Sequence, residues 1–445
     1  MTVASKIAEY ALETTYKSIP ENIKELAHRS LLDYVGVTFA GSRTKEAEVL
    51  MEYIKTHPQN DESRILGRSG CWCMEDAALV NGYFSHILDY DDAGMIGHPS
   101  AVLMSTCFAV GEPEMITGEE FLTAYIVGYQ VSLKLADPLM PELTGRGWHG
   151  TPVFGCIGSA VAAGRIMKLS KKQMINAIGI AATMASGLME NFGTTTKPFH
   201  AGMAAANGIK AAKLAKAGLG ASPNAIDGEC GYGKLFADIL LVESDVVLED
   251  WTLYEQDLLL KKYPCCSAAH AALNCIEEIR DAENLTVDDI ERIDVGVTKF
   301  TLINLIHPNP RTAIEARFSM QYAIAATLVT GKFGVESFKG EILKNKEIRE
   351  LSAHINMFEA EEFVDNPYAD NEPAVVRVYL KDGRIKERRV DYAKGSTVNP
   401  ISDKEIEEKF YECVGERSER YNRMYDYLKA IESVSDMKFF MGMIL

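Results

Sequence analysis

Three consecutive segments of this chain are dense in alanine and glycine, and they restrict the fold more than any other feature. The segments are GCIGSAVAAGRIMKLS from Gly155, MINAIGIAATMASGLME from Met174 and HAGMAAANGIKAAKLAKAGLG from His200. Small side chains let helix axes approach closely, so these segments predict tight helix packing inside a large bundle. The chain has no stretch of uncharged, apolar residues long enough to cross a bilayer, so we expect no membrane-spanning helix.

Helical spacing extends over most of the chain up to about residue 265. In IPENIKELAHRSLLDYVGVTFAG, apolar residues recur at helical intervals until Gly41, a typical helix end. The first segment, MTVASKIAEYALETTY, predicts an amphipathic helix. It lacks the apolar core of a secretion signal and the arginine-rich composition of a transit peptide, so we expect a cytoplasmic protein.

The pattern changes after KKYPCC. The alternating segment RIDVGVTKF predicts a strand, and AVVRVYLKDGRIKERRVDY predicts a hairpin that turns at Asp382-Gly383. Between them, EARFSMQYAIAATLVTG predicts one helix that ends at Gly331. From Ser402, SDKEIEEKFYECV returns to helical spacing behind a residue that often caps helices.

These changes predict a mainly α fold with a large all-helical domain and an inserted, smaller α+β domain. The expected bounds are 1–267 for the helical domain, 268–396 for the α+β domain and 397–445 for C-terminal helices that rejoin the first domain. A chain of 445 residues has room for about two or three domains of ordinary size.

The charge balance restricts the partners. The formal net charge is −17 and the sequence pI about 5.1, which argues against nucleic acid or an anionic membrane surface as the main partner. A local cluster of lysine and histidine can still attract anionic metabolites inside a cleft. The nine cysteines are scattered, as is typical of reduced thiols in a long chain without a signal sequence.

Four stretches carry residues suited to acid–base chemistry. The first, HILDYDDAGMIGHPS, contains Asp89, Asp91, Asp92 and His98. It does not match a calcium loop, because the fifth and twelfth positions counted from Asp89 are alanine and serine. From the residues alone, a solvated acidic loop, a carboxylate–histidine metal site and one wall of an active site all stay open.

The other three stretches place histidine or lysine beside glycine, proline or cysteine. GRGWHGT holds His149 between glycines, which permit a sharp bend or a close approach to a ligand. NFGTTTKPFHAG places Lys197 and His200 at a predicted helix start, where free N–H groups attract carboxylate or phosphate. LLLKKYPCCSAAHAA supplies Lys261, Lys262, Cys265, Cys266 and His270. Each stretch also has a purely structural alternative. These are, in the same order, a helix-entry loop, a plain helix start and a domain junction.

Signatures of common cofactor sites are absent from the sequence. No GxGxxG follows a predicted strand, and neither a phosphate-binding P-loop nor a GxSxG elbow occurs. We therefore expect no cofactor and no metal. Histidine and lysine together with carboxylates suit proton transfer at a carbon next to a carboxylate, where lysine stabilises the anion that forms. Adjacent cysteines do not match a zinc knuckle, and we favour a packing role for both.

Five ordered motifs resemble the MmgE/PrpD family over nearly the whole chain. They are NGYFSHILDYDDAGMIGHPSAVL, GWHGTPVFGCIGSAVAAGRIMKLS, TTTKPFHAGMAAANGIKAAKLAKAGL, KKYPCCSAAHAAL and EARFSMQYAIAATLV. The family includes 2-methylcitrate dehydratases, cis-aconitate decarboxylases and iminodisuccinate epimerase. The resemblance implies a helical domain with an inserted α+β lid, a homodimer and chemistry that needs no metal.

The resemblance also implies site residues. Catalytic residues of the family's decarboxylases correspond here to Asp89, His98, His149 and Lys197. Lys261 and Tyr322 correspond to further pocket positions, and His270 to the histidine retained in the bacterial branch. We expect Lys262, His200 and Arg317 to bind substrate as well. Two positions depart from those decarboxylases, which have threonine where this chain has Ala93 and histidine where it has Cys266.

We therefore expect a cofactor-independent lyase that acts on a small di- or tricarboxylate. Dehydration of a 2-methylcitrate-like hydroxy acid is the first hypothesis, with His149 as the main acid–base group and His98 as its assistant, although the two roles are exchangeable. An epimerase of an iminodisuccinate-like dicarboxylate and a cis-aconitate-type decarboxylase are the alternatives. A carboxylate-binding protein without turnover is the alternative from another class.

Overall fold

A computed structural model describes residues 1–140, 142–363 and 372–444 of the chain. The chain forms two compact units. Unit 1 comprises Met1–Ile87, Asp91–Leu258 and Asp403–Leu445. Unit 2 comprises Leu88–Tyr90 and Leu259–Ser402.

Unit 1 is built from helices, most of which bury several faces. The elements before residue 259 are α1 Val3–Glu13, α2 Glu21–Gly41, α3 Lys45–Ile54, β1 Ser63–Arg64, β2 Cys71–Trp72, α4 Met74–His86, α5 Pro99–Gly111, α6 Gly118–Ala136, α7 Glu142–Gly145, α8 Gly150–Ile166, α9 Lys171–Met184, α10 Thr196–Lys216, α11 Tyr232–Ala237 and α12 Thr252–Asp257. Every residue of α5 is buried, and so is nearly every residue of α8, which explains why neither helix shows an apolar stripe. The antiparallel β1–β2 pair is the exception to the predicted all-helical composition of this domain.

The three alanine- and glycine-rich segments fall mainly on α8, α9 and α10, as predicted, and these helices pack against one another. Helices α4 and α10 approach closely at Gly82 and Gly202. A Cβ atom on Gly82 would lie 2.7 Å from Cα of Gly202, and one on Gly202 would lie 2.0 Å from the carbonyl oxygen of Leu79. Only glycine permits this contact, which brings the C-terminal end of α4 close to the first turns of α10.

Unit 2 contains a four-stranded sheet covered by helices. Its elements are α13 His270–Glu283, β3 Ile290–Val297, α14 Lys299–Asn304, α15 Ala313–Ala316, α16 Met320–Thr330, α17 Gly340–Leu343, α18 Lys346–Ser352, β4 Ile355–Glu359, β5 Ala374–Leu380 and β6 Ile385–Val390. The strand order is β4-β3-β5-β6, with β3 parallel to β4 and antiparallel to β5. The strand β3 and the β5–β6 hairpin confirm the sequence predictions, and Gly383 adopts the positive φ that the turn requires.

The helix predicted up to Gly331 is two helices, so that prediction was wrong in part. The chain leaves α15 after Ala316, and α16 begins behind Ser319, whose side chain accepts a hydrogen bond from the backbone N–H of Tyr322. A capping serine offers the backbone a new helix start, and this local bond outweighs the continuous apolar periodicity. The predicted end at Gly331 is correct.

The last elements are α19 Asp403–Val414, α20 Glu419–Lys429 and α21 Met437–Ile444, all in unit 1. Helix α19 packs on α2, where Lys409 and Asp33 form a buried ion pair. These features confirm the predicted fold class. The domain bounds predicted from the sequence stay predictions. The two compact units divide at Leu258/Leu259 and at Ser402/Asp403. Among the described residues, no helix combines the length and the apolar character needed to span a bilayer.

Candidate active site

The segment between α4 and α5 places two histidines at its ends. His86 is the last residue of α4, and His98 directly precedes α5. Gly97 has φ +94°, and a Cβ atom there would lie 2.1 Å from Oγ1 of Thr151. The same Thr151 hydroxyl accepts the backbone N–H of His98 at 3.0 Å. Glycine at position 97 therefore lets His98 lie against the start of α8, next to His149.

Asp91 lies between the imidazoles of His86 and His98. Its Oδ1 atom is 3.0 Å from Nδ1 of His86, and its Oδ2 atom is 3.2 Å from Nδ1 of His98. All three side chains are buried, and the two ring centroids are 3.9 Å apart. Carboxylate and carbonyl oxygens only accept hydrogen bonds, so His86 presents Nδ1–H to Asp91, and His98 presents Nδ1–H to Asp91 and to the backbone oxygen of Asp92 at 3.1 Å. The contact fixes the ring orientation and the tautomer of each histidine.

Burial alone would raise the pKa of Asp91, but the adjacent His86 and His98 outweigh it and hold that pKa well below the usual range. The Asp91 carboxylate is therefore ionised at neutral pH. The three side chains also offer nitrogen and oxygen atoms within 4.8 Å of one another, a donor set that suits a transition metal. Within unit 1, one oxygen of the Asp91 carboxylate bonds His86, and the other forms an ion pair with His98.

Lys197 brings a positive charge to this group. Its Nζ atom lies 3.3 Å from Nε2 of His98, so the ammonium donates to the ring nitrogen that faces away from Asp91. Lys197 is 7% exposed and lies at the start of α10. The ammonium also lies 5.6 Å from the centre of the Phe192 ring, a favourable cation–π arrangement. Nε2 of His98 thus faces Lys197, whereas its Nδ1 faces Asp91.

A second histidine pair lies on the other side of Lys197. His149 directly precedes α8, and its Nδ1 atom is 3.1 Å from Nδ1 of His200 on α10. Burial holds the pKa of His149 well below its usual value, and the Lys197 ammonium lowers it further. The pKa of His200 falls to about 4 for the same reasons, burial first. The ring of His149 also packs edge-on against Phe192.

Unit 2 holds a separate group formed by Asp89 and Lys261. The Lys261 ammonium donates to Oδ1 of Asp89 at 3.0 Å and to its backbone oxygen at 3.1 Å. Both side chains are buried, and Asp89 has φ +51°, a conformation in which aspartate is tolerated better than most residues. Within unit 1 the carboxylate that contacts His98 is Asp91, and within unit 2 Asp89 pairs with Lys261. The catalytic role expected for Asp89 stays a prediction.

Two further predicted ligands lie near the start of α13 in unit 2. Lys262 forms an ion pair with Glu277 at 2.7 Å, and its ammonium lies over the ring of Tyr263. His270 begins α13, is fully buried and packs edge-on against the same Tyr263 ring. The partner of Lys262 is therefore a protein carboxylate, and a substrate carboxylate would have to compete with it.

Arg317 and Tyr322 belong to the apolar part of unit 2. The guanidinium of Arg317 lies 4.9 Å from the centre of the Phe338 ring, and it is 7% exposed. The hydroxyl of Tyr322 donates to the carbonyl oxygen of Ser337. The substrate-binding roles inferred for both residues stay predictions.

The positions that depart from the family's decarboxylases are both apolar in character. Ala93 is buried in unit 1, and Cys266 packs against the apolar core of unit 2. Burial raises the pKa of Cys266 to about 12 and that of the buried Cys265 well above its usual value. Neither thiol ionises near neutral pH, which agrees with a packing role for both.

Asp92, next to Asp91, anchors the start of α5. Its Oδ1 atom accepts the backbone N–H of Ser100 at 3.1 Å, and its other oxygen bonds the Ser100 hydroxyl, which in turn lies 2.8 Å from the hydroxyl of Tyr125. Burial raises the pKa of Asp92 to about 8, and the nearby charges of Asp33 and Asp91 add to the effect. Asp92 therefore holds a proton at neutral pH, and its side chain stabilises the junction between the loop and α5.

Sequence reasoning did not assign functional roles to His86, Asp91 and Phe192. The five-residue spacing from His86 to Asp91 was visible, but no periodicity rule brings a helix terminus and a loop residue together. Phe192 lies in a stretch quoted for its lysine, and its contact with both Lys197 and His149 depends on tertiary packing.

Comparison with known families agrees with this arrangement. The MmgE/PrpD N-terminal domain matches residues 5–240, and the MmgE/PrpD C-terminal domain matches residues 263–425. The first match alone covers more than half of the chain. The chain belongs to the MmgE/PrpD family.

Three curated relatives share the name cis-aconitate decarboxylase. The human protein is 29% identical over 443 residues, which cover 94% of this chain and 89% of the relative. The mouse protein is 29% identical over 412 residues, with 88% and 82% covered. The protein of Aspergillus terreus is 24% identical over 463 residues, with 98% and 94% covered. The similarity thus spans both matched domains of this chain.

Proposed function

We propose that this protein is a lyase that acts on a small di- or tricarboxylate without a bound cofactor. The observation that carries the proposal is the buried ammonium of Lys197, which contacts His98 and acts electrostatically on His149 of the second histidine pair. The ammonium binds a substrate carboxylate, and burial strengthens this attraction because little water screens the charges. The histidines move protons at the neighbouring carbon.

The names of the relatives favour decarboxylation of a cis-aconitate-like acid. In this reaction the bond between one carboxylate and the carbon framework breaks, and carbon dioxide leaves without charge. The electron pair stays on the framework, where a conjugated double bond and a second carboxylate delocalise it. Lys197 stabilises this anion because its charge already faces the bound carboxylate.

A proton then adds to the carbon framework, and His149 is its source. Nδ1 of His149 contacts His200, so Nε2 is the atom that exchanges protons with the substrate. Burial and Lys197 keep His149 neutral in the free protein. A bound di- or trianion opposes the field of Lys197 and raises the pKa of His149, so the proton enters with the substrate.

Dehydration of a 2-methylcitrate-like hydroxy acid is the second candidate, and the apolar residues Ala93 and Cys266 favour it. In the decarboxylases of the family these positions carry polar side chains, so a cis-aconitate ligand would lose two contacts. In a dehydration, His149 removes the α-proton and His98 assists the departure of the hydroxyl. Return of the abstracted proton to the opposite face would make the enzyme an epimerase instead. The homodimer and the cytoplasmic location stay predictions from the sequence.

Proton NMR of the purified protein in deuterated buffer with EDTA tests the proposal. The substrates are cis-aconitate, 2-methylcitrate, citrate and iminodisuccinate, each incubated with wild type, Lys197→Met and Lys210→Met. Lys210 lies on the same helix as Lys197 and is exposed, so its variant is the matched control.

Loss of carbon dioxide or water from one substrate by wild type and Lys210→Met, with at least a 100-fold loss in Lys197→Met, supports the lyase. Deuterium uptake without net elimination would replace the lyase with an epimerase. Tight binding of all four acids without turnover would overturn the enzyme in favour of a carboxylate-binding protein. Activity that disappears with EDTA and returns with a metal would contradict the cofactor-independent chemistry.

A further inference from the structure

The contact between His149 and His200 joins two nitrogens of the same kind. Their Nδ1 atoms are 3.1 Å apart, within hydrogen-bond range, and both rings are buried. Two neutral imidazoles can share such a contact only when one nitrogen carries a proton and the other a lone pair. One proton therefore lies between the rings, and the tautomer of each histidine fixes the tautomer of the other.

The shared proton has a consequence at the far side of the His149 ring. When Nδ1–H of His149 donates to His200, Nε2 of His149 carries a lone pair and acts as a base. When Nδ1–H of His200 donates instead, the proton of His149 is on Nε2, and this atom acts as an acid. We propose that His200 is a positioning residue that sets, through this hydrogen bond, whether Nε2 of His149 accepts or gives a proton.

The surroundings of the pair favour neutral rings. The groups that act on His149 are Lys197 and His200 from α10, His86 from α4 and His98 from the start of α5. The ammonium and burial both disfavour a second positive charge, so each ring keeps one proton at neutral pH. This is the condition under which the two tautomers are coupled.

The position of His200 on its helix links this pair to the substrate site. His200 follows Lys197 by three residues on α10, so both side chains lie on one face of the helix. A proton taken up by Nε2 of His149 gives an imidazolium whose Nδ1–H still donates to His200. The lone pair of His200 stabilises this cation, so the contact also supports the charged intermediate of the reaction.

The inference rests on the proposed function, in which His149 is the acid–base group, and two variants test it. His200→Phe keeps a ring of similar size but removes both nitrogens. His200→Asn keeps a donor and an acceptor near the position of Nδ1. His57→Phe, which removes a partly exposed histidine paired with Asp76, is the control.

The first readout does not depend on activity. Histidine-selective ¹⁵N labelling reports the tautomer of each ring, and the signals of His149 are assigned by their loss in His149→Gln. We expect the wild type to show complementary neutral tautomers for the pair. We expect His200→Phe to change the ¹⁵N shift of Nδ1 and the titration midpoint of His149. We expect His200→Asn to restore the shift of the hydrogen-bonded nitrogen. The control His57→Phe should change neither quantity. Unchanged His149 signals in folded His200→Phe would overturn the inference.

The second readout is the pH profile of turnover with the substrate that the NMR assay identifies. We expect His200→Phe to lower kcat about 10- to 100-fold, with KM within about twofold, and to shift one limb of the profile. We expect His200→Asn to regain most of kcat. Wild-type kcat and pH profile in His200→Phe would overturn the inference while leaving the lyase intact. A wild type that turns over none of the acids but shows the coupled tautomers would overturn only the lyase.

Discussion

Oδ2 of Asp91 lies 3.2 Å from Nδ1 of His98, and this contact decides which nitrogen of His98 faces Lys197. The acidic run from Asp89 to Asp92 thus divides into three separate functions. Asp91 orients histidines, Asp92 anchors a helix start, and Asp89 pairs with Lys261 in unit 2. Adjacent residues of a loop point in different directions, so side chains of one type meet different partners.

The first prediction concerns Asp91→Asn. Asp91 has two acceptor oxygens, whereas asparagine has one acceptor oxygen and one NH₂ donor. Asparagine therefore cannot accept hydrogen bonds from both Nδ1–H groups. One imidazole then faces an amide donor, and a change of tautomer in His98 would direct an N–H at the Lys197 ammonium. We expect kcat to fall about 100-fold or more, with a few-fold change in KM, as measured with the substrate found by NMR.

The matched control for Asp91→Asn is Asp76→Asn. Asp76 also lies on unit 1 and bonds a histidine, His57, at 2.8 Å, but that pair is partly exposed. We expect activity of Asp76→Asn within about twofold of wild type, because a partly exposed pair contributes little. Activity of Asp91→Asn within about threefold of wild type would rule out an orienting role.

The second prediction concerns the pH dependence of stability through Asp92. The folded carboxyl has a pKa of about 8, whereas the unfolded chain has the ordinary value of 3.8. Between these values the folded protein holds a proton that the unfolded chain releases, so the free energy of unfolding falls as the pH rises. The slope from this group is at most about 1.4 kcal/mol per pH unit.

Asp92→Asn removes this titration and keeps a donor toward Ser100. We expect the difference in melting temperature, Asp92→Asn minus wild type, to become steadily more positive from pH 5 to pH 8. Asp76→Asn serves as the control, because it makes the same substitution in the same unit at a partly exposed side chain. A constant difference between Asp92→Asn and wild type over this range would contradict the raised pKa.

The third prediction concerns the buried ion pair of Lys261 and Asp89. Lys261→Met leaves the Asp89 carboxylate buried beside an apolar side chain, and we expect a loss of about 3–5 kcal/mol in the free energy of unfolding. The double variant Lys261→Met/Asp89→Asn should be more stable than Lys261→Met, because it also removes the buried negative charge. Urea denaturation measures both.

The adjacent Lys262→Met is the control for this pair. The side chain of Lys262, which pairs with Glu277, is 34% exposed. We therefore expect Lys262→Met to lower the free energy of unfolding by about 1 kcal/mol or less. Equal effects of the two lysine variants would show that the contact of Lys261 with Asp89 contributes no more than a surface pair.

The fourth prediction concerns the crossing of α4 and α10. In Gly202→Ala the new methyl group meets the carbonyl oxygen of Leu79, so the helices must separate. We expect a loss of about 1–3 kcal/mol or more in stability and a fall in kcat, since α10 carries Lys197 and His200. Gly145→Ala is the control, because no atom lies within 4 Å of a Cβ atom there. Wild-type melting temperature and kcat in Gly202→Ala would contradict the close contact.

Much of the fold was predictable because it depends on local spacing. Helical periodicity, the Asp382-Gly383 turn and the end at Gly331 follow from interactions between residues close in sequence. The break between α15 and α16 was missed because one capping serine outweighed a continuous apolar pattern. The candidate residues His98, His149 and Lys197 were likewise visible in their motifs, and the structure brings them together in unit 1.

The sequence by itself determined the family, the secondary structure and the residue types available for chemistry, because these depend on composition and short-range order. Only the tertiary structure decided that Asp91 contacts both His86 and His98, and that His149 meets His200. Such contacts depend on how α4, α8 and α10 pack, and the distance between side chains on different helices is not encoded in the spacing along any one of them. The close contact of Gly82 with Gly202 sets part of that packing.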